Sequence, residues 1–327
     1  MKGVVSPPRP VPPHIGRPPY AESSVVPPWS DAPQVQDAAG VAKMRAAGRL
    51  AADVLRRAGQ LVAPGVRTDD IDEAVHGWVV AAGAYPSPLN YGAFPKSVCT
   101  SVNEVLCHGI PDSTVLQTGD IINIDVTVFL DGFHGDTSAT FCVGVVDAEA
   151  AQLVDAARRA LDAGIAVCRP GAPYRSVGSA IQRVADQYGY GIADGFCGHG
   201  VGSAFHSGPM VIHNANTSPG VFVLGQTFTI EPMLTLTKAG AKERVWADNW
   251  TAVSRDGSWS AQFEHTLLIV PNGVEILTRM DDDAPAGASG DAAAAAERRA
   301  PPPPPPPPPP KAGSKRPKAS KRDWMSR

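Results

Sequence analysis

"TGDIINIDVTVFLDGFHGDTSATF", residues 118–141, alternates apolar and polar side chains on both sides of Asp131-Gly132, as two strands joined by a two-residue turn would. Ile122, Ile124, Val126 and Val128 fall on one face, and Asn123, Asp125 and Thr127 on the other. With Leu130 paired to Phe133 across the turn, Asp125 lies opposite Ser138 and Asp136 becomes its diagonal neighbour. Two carboxylates so placed repel each other unless a cation or a shared proton lies between them. The bland alternative is a polar ladder facing solvent.

The same phrase returns further along the chain. "TGDIINID" at 118–125 falls on "LGQTFTIE" at 224–231, an offset of 106 positions that carries Asp125 onto Glu231. Upstream, Met44, Ala47, Ala51, Val54, Leu55, Ala58 and Val62 mark one helical face, ended by Pro64-Gly65. Thr68 is expected to cap a second helix, with Asp69 and Asp70 at its positive end and Ile71, Val75, Trp78 and Val79 on its buried face. A helix over 149–168, Pro170-Gly171, and a helix with Val177, Ile181 and Val184 inward repeat that order, and Gly65 to Gly171 keeps the offset of 106. Two structural halves follow, and a site between them collects a carboxylate from each.

"FCGHGVGSAFHSGPMVIHN", residues 196–214, adds His199 and His206, either of which read alone is equally a satisfied core histidine. Glu231 closes the strand-like "TFTIEP", and Glu264 interrupts "AQFEHTLLIV", a stretch otherwise ready for burial. Four carboxylates and one imidazole on strands of one domain are costly to bury unpaired, and two divalent cations would balance the charge. Oxygen-rich ligands with one histidine suit Mn, Fe(II), Co or Zn. A bridged pair of such ions supplies hydroxide at neutral pH and stabilises an oxyanion, which is metal-assisted hydrolysis. No Ser-His-Asp motif, P-loop or dinucleotide fingerprint competes, since "GHGVG" lacks the required spacing.

The chain has 327 residues, 43% of them apolar, with a net charge of −3, so no global charge draws it to nucleic acid or membrane. No leader or spanning segment is evident, and a cytoplasmic location without membrane contact is expected. The five cysteines (Cys99, Cys107, Cys142, Cys168, Cys197) are widely spaced and read as buried reduced thiols, not a disulfide framework or a structural zinc site. Composition divides the chain into a proline-rich arm (1–40), a globular unit (41–280) and an Ala/Pro-rich, basic tail (281–327) expected to be disordered. "PPRPVP" at 7–12 suits a partner's aromatic groove, or else packs on its own chain or stays solvated. The tail carries ten consecutive prolines and then seven Lys or Arg against one Asp in its last seventeen residues, a stiff spacer with a polyanion-binding foot or a plain solubilising tail.

"FPKSVCTSVNEVLCHGIP" (94–111), "DGFHGDTSATF" (131–141), "GHGVGSAFH" (198–206) and "SAQFEHT" (260–266) together resemble type I methionine aminopeptidases, in the right order over residues 41–280. The resemblance implies an α+β pita-bread fold whose two pseudo-symmetric halves, antiparallel strands backed by helices, hold a dinuclear metal site. It implies removal of initiator methionine from nascent proteins with a small second residue. By that resemblance Asp125 and Asp136 chelate one metal, Asp136 bridges to a second held also by His199 and Glu231, and Glu264 bridges both. Glu231 also accepts the proton of the attacking water, His206 contacts the substrate carbonyl, and His108 hydrogen-bonds the scissile amide. The methionine pocket maps onto Tyr91, Cys99, Phe205 and Trp250, and a monovalent cation onto Asn103, Val105 and Ser260. His134 receives no metal and becomes a supporting residue. The proline-rich arm resembles that of actinobacterial type I enzymes, which implies that it contacts the ribosome or covers the catalytic domain; the tail has no counterpart there, so a ribosome contact through it is expected from its charge alone, and the enzyme is expected to be a monomer. The rival readings are a pita-bread aminopeptidase P or prolidase, which usually carries a large folded amino-terminal domain, and a non-catalytic pita-bread binding protein, which would have lost ligands.

Overall fold

Ile122, Ile124, Val126 and Val128 are fully buried beneath two helices in the computed structural model, which describes residues 3–279. The basic tail lies outside the described residues. The helices are α1 (Ala38–Gln60) and α2 (Thr68–Ala81). Asp37 starts α1 by accepting from the Gly40 N–H at 2.8 Å, inside the stretch assigned to the arm. Ala47, Ala51, Val54, Leu55 and Ala58 then join Ile71, Val75 and Val79 of α2 in one core with the strand aliphatics, each large side chain worth about 1.5–3 kcal/mol on burial. Thr68 is not the cap that its residue type suggests. It is the first helical residue; its hydroxyl donates to Asp112 O at 3.0 Å, and Asp70 closes the helix end by accepting from the Arg67 N–H at 3.1 Å. Asp112 lies 44 residues away, beyond any local reading.

β1 (Cys99–Val102), β2 (Ile121–Leu130) and β3 (Phe133–Cys142) are antiparallel. The hairpin has the expected register, with Leu130 opposite Phe133, Asp125 opposite Ser138 and Thr127 opposite Asp136. Asp131 and Gly132 both have positive φ, 50° and 88°, as the tight turn requires. A Cβ at Gly135 would lie 2.5 Å from the Ala47 carbonyl carbon, so β3 meets α1 at a distance only glycine allows.

The second half repeats the plan. α3 (Ala148–Ala166) and α4 (Arg175–Tyr188) bury Leu153, Val177 and Ile181 against Phe228, Ile230 and Leu267 in a second core. Its strands are β4 (Cys197–Gly200), β5 (Ser207–Ile212), β6 (Gln226–Ile230) and β7 (Glu264–Val270). The sheet runs β2, β3, β7, β6, β4, β5, with β1 also on β2, so the halves meet where Glu264 of β7 faces Ser138 of β3. Of the cysteines, Cys99, Cys107 and Cys168 are buried as expected, but Cys197 is only half-buried and Cys142, the last residue of β3, is exposed.

Residues 3–37 lie along their own chain. Val11, Ile15 and Ala21 pack with Tyr85 and Leu89, and Arg9 pairs with Asp69, Asp72 and Glu73. Fully buried Lys96 also pairs with Asp69 and Asp72. Gln34 and Val35 end the arm as a short strand on β6.

Candidate active site

Strand alternation places Asp125 and Asp136 on the face of the sheet away from α1 and α2. The pairing of β3 with β7 brings Glu264 beside them, and the end of β6 brings Glu231. His199, from β4, faces this group: its Nε2 lies 3.7 Å from Asp136 Oδ2 and 3.5 Å from Glu231 Oε1. Its Nδ1 donates to Gly200 O at 3.2 Å, which leaves Nε2 a free lone pair. Suitable atoms of Asp136, His199 and Glu264 all lie within 4.8 Å of one another.

These acids are held out of water. Burial and the neighbouring carboxylates push Asp125, Glu231 and Glu264 well above the usual range. Burial raises Asp136 to about 7, although the Thr127 hydroxyl donates to its Oδ1 at 2.6 Å. Asp125 Oδ1 is buried and no donor faces it; its neighbour is the second carboxylate. Burial also lowers His199 to about 4, so its imidazole is neutral at pH 7. An orphaned carboxylate oxygen, three further crowded acids and a neutral imidazole fit divalent cations, which would supply the missing positive charge.

The expected substrate-binding residues line the same cavity of about 340 Å³. Tyr91, Cys99, Phe205 and Trp250 are on its wall, with Phe94 added by the structure. His206 Nδ1 is hydrogen-bonded to the Tyr91 hydroxyl at 2.9 Å, and its ring centroid is 4.2 Å from that of His199. His108 sits edge-on to Trp250 at 5.8 Å; burial lowers it to about 4 and lowers His206 further. His134 is bonded to Ser87 at 2.9 Å and stacks on Phe205 with centroids 5.0 Å apart, so it braces the pocket wall. Asn103 and Val105 line a separate cavity of about 220 Å³, and the Ser260 N–H donates to Asn103 O at 2.8 Å.

His213 is a residue that the sequence reading missed. It is 1% exposed, and its Nε2 accepts from the Gly198 N–H at 3.2 Å and the Glu231 N–H at 3.1 Å. One imidazole thus ties together the backbones that carry His199 and Glu231. Its partners are 15 and 18 residues distant, and no local pattern marks it. Thr127, which grips Asp136, was visible only as a polar member of an alternating strand.

The family model for metallopeptidase family M24 matches residues 42–271, which include all five acid and imidazole side chains described above. The chain belongs to metallopeptidase family M24. This M24 chain is 57% identical over 278 residues to methionine aminopeptidase 1D, chloroplastic/mitochondrial, of Arabidopsis thaliana, spanning 85% of the chain and 79% of that relative. It is 49% identical to methionine aminopeptidase 2 of Mycobacterium tuberculosis, spanning 84% and 96%. The crystal structure of methionine aminopeptidase from Rickettsia prowazekii superposes with a TM-score of 0.73 at 40% identity, over 76% of this M24 chain and all of that one. The expected kinship with type I methionine aminopeptidases and the pita-bread fold both hold. Prolidase from Pyrococcus furiosus, 19% identical with a TM-score of 0.60, shares the fold.

Proposed function

We infer that this M24 chain releases amino-terminal methionine from peptides and nascent proteins whose second residue is small. One observation carries the reading: five ligand-type side chains converge in the same cavity as a soft, aromatic wall of Tyr91, Cys99, Phe205 and Trp250, which suits an unbranched thioether. Asp125, Asp136, His199, Glu231 and Glu264 are proposed to hold two divalent cations, Co, Mn, Fe or Zn. When bound, such ions polarise a scissile carbonyl and lower the pKa of water. Glu231 is proposed to accept the proton of the attacking water as the new C–O bond forms. His206, held by Tyr91, would hydrogen-bond the carbonyl oxygen, and neutral His108 the amide nitrogen. The C–N bond then breaks, and the proton from Glu231 goes to the departing amine. A monovalent cation between Asn103, Val105 and Ser260 is a further proposal.

No helix among the described residues is long and apolar enough to cross a membrane. A cytoplasmic monomer that meets nascent chains, with ribosome contact through the arm or the basic tail, fits the reading. The test is release of methionine from Met-Ala-Ser by the metal-reconstituted protein, beside Ala-Pro peptides. Cleavage of Ala-Pro peptides with Met-Ala-Ser left intact would overturn the proposal.

A further inference from the structure

"VVPPWSD", residues 25–31, crosses from one lip of the cavity to the other. On one side Ala21 O accepts from Asn90 Nδ2 at 2.8 Å, next to Tyr91, and Val26 Cγ2 lies 3.1 Å from where a Cβ on Gly92 would stand, beside the Trp250 ring. On the other side the Gly208 N–H donates to Ser30 O at 2.7 Å, two residues after His206. Gly208 has to be glycine for this, since a Cβ there would lie 2.4 Å from Asp31 O. Between the anchors stand Pro27 and Pro28, a pair with few conformations to lose. Trp29 follows them, lines the cavity while 47% exposed, and is steadied by its indole N–H to Asp31 Oδ1 at 2.8 Å. Met210 on β5 lines the same cavity and is 56% exposed. Two large apolar side chains therefore face solvent at the mouth of a site whose floor is lined by acids.

We propose that this strap reads the third residue of the substrate, with Trp29 and Met210 forming an apolar seat for it. The inference rests on the aminopeptidase reading and deepens it. In an extended peptide, alternate side chains point the same way. A methionine side chain directed at the Tyr91 and Trp250 wall thus turns the third side chain towards the strap that departs from that wall, and turns the second away from it. A leucine there buries apolar surface against Trp29, whereas a glycine does not.

The test compares kcat/KM for Met-Ala-Leu and Met-Ala-Gly peptides with the full-length, metal-loaded enzyme. The wild type should favour leucine, Trp29→Ala should lower the ratio roughly three- to tenfold, the worth of one aromatic contact, and Trp29→Phe should restore most of it. Gly208→Ala, which unseats the strap without altering Trp29, should lower the ratio in the same direction. An enzyme that releases methionine but shows equal ratios in wild type and Trp29→Ala overturns the strap alone. A wild type that releases methionine from neither peptide overturns the peptidase reading and this inference with it.

Discussion

Asp125 Oδ1 faces no donor, and the other buried acids crowd it, so the local charge is tolerable only when it is protonated or cation-bound. Asp136→Asn and Glu264→Gln should each lower kcat/KM at least about 100-fold and weaken cation binding, by loss of proposed ligands; near wild-type turnover would reject the assignment. The raised carboxyl pKa values also fix a sign. The folded, chelator-treated protein holds protons that the unfolded chain has lost, so these groups make it less stable as pH rises from about 4 towards the 7 of Asp136. Cation binding at pH 7 must displace those protons. Calorimetry with Mn(II) in two buffers of different ionisation heat should register net proton release, and apparent affinity should rise with pH. His213→Phe removes the acceptor shared by the Gly198 and Glu231 amides, and metal affinity should fall about 10–100-fold in the same titration. Asp125 and Asp136 were legible because strand alternation is a local property; His213 was not, because both its partners arrive from other strands.

The hairpin of β2 and β3 and the four helices are elements that the sequence spells out, through period-2 and period-3.6 patterns broken by Asp-Gly and Pro-Gly. The arm is different. Its prolines announce an extended chain, but nothing in "PPRPVP" says that Arg9 will meet Asp69 and Asp72, some 60 residues on, or that Lys96 will be buried behind them. Lys96→Met leaves those carboxylates short of a buried cation and should cost about 3–5 kcal/mol, read as a fall in the denaturation midpoint. Burial acts to raise Asp69, but donors from Lys96, Arg9 and Ser6 outweigh it and hold the group at about 2. A depressed carboxyl stabilises above its unfolded value of 3.8 and loses that contribution as pH falls towards 2. Limited proteolysis of the arm should therefore accelerate between about pH 4 and pH 2, and less so in Asp69→Asn.

At the scale of the whole molecule, the 106-residue offset carries β2 onto β6, and β1 and β3 flank the one in the sheet as β4 and β7 flank the other, with the acids gathered at the junction. Deletion of residues 285–327, outside the described residues, should spare peptide turnover and reduce salt-sensitive sedimentation with ribosomes; unchanged sedimentation would reject a role for the basic tail. The sequence by itself determined the elements, their repetition and the chemical types of the proposed ligands, because periodicity, turn chemistry and residue identity are local. Tertiary structure alone decided which acids share a cavity, how far desolvation shifts them, that His213 ties two strands together and that Trp29 stands at the mouth. Each of these depends on distances between residues far apart in the chain, and on water excluded only once both halves have closed.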